Sequence, residues 1–451
     1  MNYQEAIDFL NAPKYSATRP GLGPVTELLS VLGDPQEGLK VIHITGTNGK
    51  GSTAAYIESA LTEAGYKTGL YTSPFIERFT ERIMISGEEI PGEDLARLTQ
   101  TVKDAVDYMV SIGHTAPTIF EMVTAVAFLY YKEQACDYIV LEVGMGGRLD
   151  ATNVFGKVEL SVITTIDFDH MQFLGNTIEE IAWEKAGIIK PGCPVVCFPQ
   201  QPAAERVLRE EAAKRNAPIT FLDSSRIEVL RSDITGQVYR FAQSADEQPA
   251  EIEISKLGSY QVLNSALAYL ALKTLQRESD MPALTDETIF SGLKKAVWKG
   301  RLEVVGRDPL VIIDGAHNPN GVEGLVDSLE KLFPGQKFIF VCGVLADKDF
   351  HSMFRMTEHL ADEYLTVTPN CSRALSAPAL ADTLAEDGMK AVSYDSIPEA
   401  LDTAITKAAA RNESLPDDAD LPRDLRPEAA KVVCFGSLYF IGDARLHLTS
   451  K

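Results

Sequence analysis

The sequence predicts an α/β protein made of two successive parallel-sheet domains, and three features carry that expectation. Short, almost wholly apolar runs recur along the chain, among them VIHIT, YIVLE, LVIIDG and KVVCFG. Strands of that kind are buried on both faces, as in a parallel sheet covered by helices. Helical stretches separate the runs, so the units read as strand, crossover helix, strand. Glycines and polar residues stand just after several runs, at the carboxyl ends of the strands where such sheets collect ligands. Together these predict a P-loop-type, doubly covered, mostly parallel sheet followed by a second, Rossmann-like α/β domain.

The elements follow in order. Residues 3–10 form a short helix, a Gly/Pro turn lies around residues 19–23, and a second short helix precedes the strand at 41–45. An amphipathic helix runs from 52 to 64, Gly65 closes it, and KTGLYT is the next strand. Strands at 138–143 and 160–166 alternate with helices at 119–131 and 178–186, and PVVCFP adds a short strand. Residues 221–254 alternate in short segments, which predicts a small antiparallel appendage, and a strong helix fills 261–275. A second α/β pattern begins near Arg301, with strands in LVIIDG, KFIFVCG, EYLTVT and KVVCFG. The boundary is placed near Trp298, giving domains of residues 1–298 and 299–451. Residues 412–428, polar and proline-rich, read as an exposed insertion.

Composition narrows the function. The 451 residues are 45% hydrophobic and 24% charged, enough for large cores, and the formal net charge is −22. Nucleic acid and anionic membrane surfaces both select basic faces, so neither is an expected partner. Six cysteines without converging pairs read as reduced thiols. The opening residues lack a basic patch leading into an apolar core, and no apolar run reaches membrane-spanning length. A cytoplasmic location is expected, with a monomer as the default.

The chemistry concentrates at Gly46, Thr47, Asn48, Gly49, Lys50, Gly51 and Ser52, between a strand and a helix. Glycines let backbone N–H groups converge on phosphate oxygens, and the helix N-terminus favours negative charge. Lys50 supplies a cation for the β and γ phosphates of ATP, and Ser52 a hydroxyl for phosphate or magnesium. The spacing departs from the usual phosphate loop, since His43 stands where a glycine is expected and Gly51 separates lysine from serine. An ordinary glycine-rich turn is the plain alternative; the lysine, the serine and the strand–helix placement argue against it. Glu142 ends YIVLE at the mouth of the sheet, suited to Mg2+. His170, after VITTI with Asp167 and Asp169, is a further candidate, although magnesium prefers oxygen. Lys185 shares a helical stripe with Ile178, Ile181 and Ala182, so an inward lysine there must snorkel, pair or be modified.

TGTNGKGS, YTSPF, PTIFE, LEVGMGGRLDATN, TTIDFDH, EKAGIIK, GRLE and DGAHNP, in this order across nearly the whole chain, resemble the folylpolyglutamate synthase/dihydrofolate synthase family, the folate branch of the Mur ligases. TGTNGK alone marks only the superfamily; GMGGRLDATN with DGAHNP is narrower. The resemblance implies a Mur-ligase-like ATP-binding domain and a C-terminal ligase domain. It implies that Ser73, Glu142 and His170 surround Mg2+, and that Lys185 carries a carbamate derived from carbon dioxide. Asn264, Arg301 and Asp314 are implied in nucleotide binding, with His317 beside them as a candidate base. Thr118, Ile119, Phe120 and Glu121, with Leu149, Asp150 and Ala151, are implied at the pterin site, and Ser437 near the glutamate pocket. Core packing of Phe120 and a local Arg148–Asp150 salt bridge are the structural alternatives.

The implied activity joins L-glutamate to the carboxylate of reduced folate, and of dihydropteroate, at the expense of ATP. The carboxylate becomes an acyl phosphate, and the amino group of glutamate displaces phosphate. A cell-wall nucleotide ligase would share the phosphate loop without the GMGGRLDATN context. A nucleotide-dependent switch or binding module would leave DGAHNP unexplained, and a non-catalytic structural protein the polar groups at the strand ends.

Overall fold

The computed structural model describes residues 1–12, 21–415 and 422–450. The turn expected at 19–23 lies partly outside these residues, as does the centre of the expected insertion at 412–428. Two compact units divide the chain. The first comprises Met1–Val229, Val238–Ile254 and Leu263–Val297; the second comprises Leu230–Gln237, Ser255–Val262 and Trp298–Lys451.

The first unit is organised by eight strands: β1 (Val41–Thr45), β2 (Thr68–Tyr71), β3 (Ile83–Ile85), β4 (Glu88–Glu89), β5 (Tyr138–Glu142), β6 (Leu160–Ile163), β7 (Val195–Cys197) and β8 (Ile219–Phe221). They lie in the order β4-β3-β2-β5-β1-β6-β7-β8. The pairs from β2 to β8 are parallel, and β3 and β4 add an antiparallel edge. Phe221 therefore ends a main-sheet strand rather than opening an appendage, because β8 continues the parallel ladder beyond β7. The small sheet is made by β9 (Glu228–Asp233), β10 (Gly236–Phe241) and β11 (Ala250–Ile254), in the order β11-β10-β9.

Burial on both faces explains why the strands read as continuous apolar runs. Val41, Tyr71, Ile139 and Leu141 share one cluster with the helices Gly92–Ser111 and Ile119–Glu133. The first of these helices was not anticipated, although Leu95, Leu98, Val102, Val106 and Met109 trace a single apolar stripe. Ile163, Val195 and Cys197 share another cluster with Ile181, Leu208 and Ala212 of the helices Ile178–Lys185 and Pro202–Lys214. Fully burying one such aliphatic side chain contributes about 1.5–3 kcal/mol.

The second unit has the sheet order β12-β13-β17-β14-β15-β16. Its strands are β12 (Glu303–Gly306), β13 (Val311–Ile313), β14 (Phe338–Cys342), β15 (Ala361–Thr366), β16 (Ala391–Ser393) and β17 (Lys431–Phe435). All pairs are parallel except the edge pair β12 and β13. The period of two sends Ile312, Phe338, Phe340, Val433 and Phe435 to one face and Val311, Ile339, Val341, Val432 and Cys434 to the other.

Two expectations need correction. Segments 230–237 and 255–262 belong to the second unit, not to an uninterrupted N-terminal domain. Ile234, Leu257 and Tyr260 pack in its core, and the Gln237 amide donates to the Lys256 and Gly258 carbonyls at 2.8 and 2.9 Å. Nor is Asn412 part of an exposed insertion. It is buried near the end of the helix Ile397–Glu413, and its amide exchanges two hydrogen bonds with the backbone of Ala430.

The helix Lys50–Glu63 is held from behind. A Cβ on Gly292, in the helix Asp286–Lys295, would lie 2.3 Å from the Cα of Ala60, and Ser59 donates to the Gly292 carbonyl at 2.8 Å. Because the obstacle is backbone, Gly292→Val forces the two helices apart and is expected to cost about 1–3 kcal/mol. A lowered urea midpoint checks this; an unchanged midpoint would show that the contact is slack.

Candidate active site

Strand β1 runs directly into the glycine loop, and the loop is fastened to the segment that follows β6. Thr47 N–H donates to the Thr165 carbonyl at 2.6 Å, and the Thr47 hydroxyl exchanges bonds of 3.0 Å with the backbone of Asp167. The Asn48 carbonyl accepts from the hydroxyls of Thr164 and Thr165 at 2.7 and 3.2 Å. A Cβ on Gly46 (φ +155°) would lie 1.7 Å from Thr164 Oγ1. Gly49 (φ +84°) occupies the left-handed region at the helix N-cap, where a Cβ would lie 2.5 Å from Asn264 Oδ1. Asn264 is thus brought to the loop. No side chain caps the helix that starts at Lys50, and the N-terminal end of a helix favours an anion. Lys50 Nζ folds over the loop, donating to the carbonyls of Gly46 and Thr47 at 3.1 and 3.2 Å.

Thr164, Thr165 and Gln200 had not been singled out. Gln200 braces the same segment by accepting from Ile166 N–H and donating to the Thr164 carbonyl. Two hydroxyl residues directly after an apolar strand were the available signal.

Strands β5 and β6 flank β1. Glu142, 4% exposed, ends β5, and its carboxylate accepts from Ser73 N–H at 3.2 Å. Among the described residues, no three His, Cys, Asp or Glu side chains converge as a metal cage. One carboxylate beside a serine nevertheless fits Mg2+, which is ordinarily held by one or two carboxylates, waters and substrate phosphates. His170 is exposed beyond β6, in the left-handed region (φ 51°), with its N–H on Asp169.

Lys185 does not snorkel. It is 3% exposed, and its ammonium makes no hydrogen bond among the described residues. Burial pushes its ammonium down to about 7; nearby Lys50 acts in the same direction, while Asp169 opposes it. The 144–152 loop rests on the same helix. A Cβ on Gly147 would lie 3.0 Å from the carbonyl oxygens of Glu184 and Lys185.

The two expected substrate segments meet through Phe120, whose ring fills the space that a Cβ on Gly144 would need, 2.6 Å away. Thr118 and Glu121 form a reciprocal cap on the helix Ile119–Glu133, with bonds of 2.6 and 3.3 Å. Leu149 is exposed, whereas Asp150 and Ala151 are buried. Arg148 does not pair with Asp150. It reaches Glu211 at 3.2 Å and lies 3.7 Å from the Trp183 ring centroid, while Asp150 accepts from Met145 and Thr152.

Within the second unit, Asp314 follows β13 and accepts from the Tyr260 hydroxyl and from the N–H groups of Leu302 and Ala316 at 2.6, 2.8 and 2.7 Å. Burial pushes its carboxyl up, and Arg301 with these donors pulls it back. The Arg301 guanidinium occupies the space beside Gly315, where a Cβ would lie 1.9 Å from Nη1. His317 Nδ1 lies 2.8 Å from the Gly315 carbonyl. A carbonyl only accepts, so Nδ1 carries the proton and Nε2 is the basic nitrogen of the neutral ring. Ser437, beyond the neighbouring β17, caps the helix Leu438–Thr449 through Tyr439 N–H, and Gly436 N–H donates to the Ala316 carbonyl.

A glycine-rich strand-to-helix loop on a parallel sheet, a carboxylate at the adjacent strand end and a second α/β unit define the framework of a Mur-type ligase. The family model for the Mur ligase middle domain matches residues 44–272, and that for the Mur ligase, glutamate ligase domain matches residues 300–415. A dihydrofolate synthase/folylpolyglutamate synthase of Bacillus subtilis (strain 168) is 38% identical over 449 residues, 99% of either chain. Among solved structures, Mycobacterium tuberculosis folylpolyglutamate synthase complexed with ADP superposes with a TM-score of 0.85, at 29% identity and covering 99% of this chain and 98% of that one. A folylpolyglutamate synthase complex with AMPPCP and folate gives 0.81 at 34% identity, covering 99% and 100%. The chain belongs to the dihydrofolate synthase/folylpolyglutamate synthase family.

The Gly46 contact yields a direct test. Gly46→Ala drives a methyl group into Thr164 and is expected to weaken binding of a non-hydrolysable ATP analogue at least about tenfold, a loss of roughly 1.4 kcal/mol. Titration calorimetry, with circular dichroism to verify folding, measures it; unchanged affinity would show that the loop tolerates displacement.

Proposed function

We propose that this protein is an ATP-dependent, ADP-forming amide ligase that joins L-glutamate to the carboxylate of reduced folate and of dihydropteroate. The observation that carries the reading is the fastened loop at residues 46–52, with an uncapped helix N-terminus and Lys50 directly over it. The family's relatives supply the acceptor class.

In this reading the acceptor carboxylate attacks the γ-phosphorus of ATP, the bond to ADP breaks, and an acyl phosphate forms. Lys50 and the loop amides stabilise the charge on the transferring phosphoryl group. The amine of glutamate then attacks the acyl carbon and phosphate leaves. His317, held with Nε2 as its basic nitrogen, is the proposed acceptor of the ammonium proton. Ser73, Glu142 and His170 are the proposed Mg2+ ligands, an ion that supplies charge neutralisation at the phosphates. Asn264, Arg301 and Asp314 are proposed for the nucleotide, and Thr118, Ile119, Phe120, Glu121, Leu149, Asp150 and Ala151 for the pterin end. Ser437 is proposed near glutamate, its helix-capping bond notwithstanding. We assign the enzyme to the cytoplasm as a monomer; its six free cysteines support the reducing compartment.

Incubation with MgATP, L-glutamate and either dihydropteroate or tetrahydrofolate tests the proposal by product mass. One added glutamyl unit on each acceptor is expected, and no amide with either acceptor would overturn it. Lys50→Ala should lower turnover at least about 100-fold while the far-UV spectrum is unchanged. Near-normal turnover would remove the phosphate assignment.

Lys185 is proposed to carry a carbamate. Only a neutral amine attacks carbon dioxide, and burial makes that form accessible near neutrality. Below about 7 the amine is protonated, so at fixed dissolved carbon dioxide the adduct should decline as pH falls and recover as it rises. A carbon-13 carbonyl signal from labelled carbon dioxide, absent in Lys185→Arg, is the expected readout. Identical spectra for the two proteins would exclude the adduct.

A further inference from the structure

Strand β1 presents two polar side chains that hold the 144–152 loop. The Thr45 hydroxyl donates to the Gly146 carbonyl at 2.6 Å, and His43 Nε2 meets Thr152 Oγ1 at 2.8 Å. Thr152 in turn places its hydroxyl 2.6 Å from Asp150 Oδ1, which also accepts from Thr152 N–H at 3.0 Å. Asp150 Oδ2 accepts from Met145 N–H at 3.0 Å. Both carboxylate oxygens are acceptors, so the single Thr152 hydroxyl proton goes to Asp150. Thr152 then has only a lone pair for the histidine, and His43 must donate from Nε2. The ring's remaining lone pair sits on Nδ1, which is buried without a hydrogen-bond partner. Lys190, the charged neighbour of His43, is itself buried, and its ammonium makes no hydrogen bond among the described residues. Burial first, and Lys190 second, keep the His43 ring neutral. A fully buried histidine with one directed donor bond is therefore fixed in a single tautomer.

The placement of this chain of bonds gives it a role. The same strand continues, beyond Thr45, into the phosphate loop, while the loop that it fastens also rests on the backbone of Lys185. We propose that His43 is a positioning residue which, through Thr152 and Asp150, sets the 144–152 loop in register with the phosphate loop. This inference rests on the ligase reading, which assigns that loop to the pteroyl acceptor. It makes acceptor binding, rather than ATP binding, the quantity sensitive to the His43–Thr152 bond.

The experiment pairs Thr152→Val, which keeps the side-chain volume but cannot donate to Asp150 or accept from His43, with Thr152→Ser, which keeps the hydroxyl. The valine variant should raise the KM for the pteroyl acceptor about tenfold, the order expected of a lost buried hydrogen bond, with the KM for ATP within about twofold. The serine variant should restore the acceptor KM. Wild-type kinetics in the folded valine variant would overturn the proposal. So would equal rises in both KM values accompanied by a lowered Tm, since that is general structural damage. Nitrogen-15 histidine NMR, assigned with His43→Gln, tests the same bond without activity. Wild type should show an Nε2–H ring that does not titrate between about pH 5 and 8, the range in which an ordinary histidine changes charge. An Nδ1–H ring, or a titrating one, would overturn the geometry. If the wild type makes no amide product, the ligase reading fails while the NMR result still decides the His43 assignment.

Discussion

The absence of space at Gly46 governs the first unit. Thr164 Oγ1 sits where any side chain on Gly46 would begin, so the loop leaving β1 can lie flat against the segment leaving β6. That approach lets Thr47, Asn48, Thr165 and Asp167 exchange their bonds. The same proximity orients the first amides of the helix Lys50–Glu63 and keeps Lys50 over them. Electrostatics at the site follows from this geometry. A helix N-terminus and Lys50 place positive potential at the loop in a protein whose overall charge is −22.

The second unit uses a different device for the same purpose. Asp314 draws three donors from separate stretches of chain onto one buried carboxylate. Tyr260, the start of β12 and the turn after β13 are thereby fixed around Gly315, over which Arg301 lies. Burial alone would favour a neutral acid; the guanidinium and the donors work against that tendency. Here too a glycine is needed because a polar side chain occupies the position of its missing Cβ.

Much of this was legible before any coordinates. Buried parallel strands announce themselves as unbroken apolar runs, and the glycines beside Lys50 announce the turn from strand to helix. Glu142 was recognisable as a carboxylate closing an apolar run, and Asn264 only through the family resemblance. What escaped notice depends on contacts distant in sequence. Nothing in the local text of residues 230–237 says that Ile234 packs in the second unit. The Arg148 partner is Glu211, on a helix far along the chain, rather than the convenient aspartate two residues away. The buried state of Lys185 was similarly open, because a helical stripe gives direction but not depth. Thr164 and Thr165 were visible but looked like ordinary strand residues, since their hydroxyls acquire meaning only from the loop opposite.

The sheet order also imposes a sequence of events on a growing chain. β5 and β6 insert on either side of β1, although about 90 to 120 residues separate them from it. The glycine loop that follows β1 is therefore synthesised early and assembled late. Its amide and carbonyl partners arrive with Thr164 to Asp167, and its side-chain neighbour Asn264 later still. A nascent chain that has exposed only the first glycines has the letters of a nucleotide site without its walls. The loop takes its bonded form only when long-range pairing closes, so that form reports completion of the unit rather than the appearance of its motif.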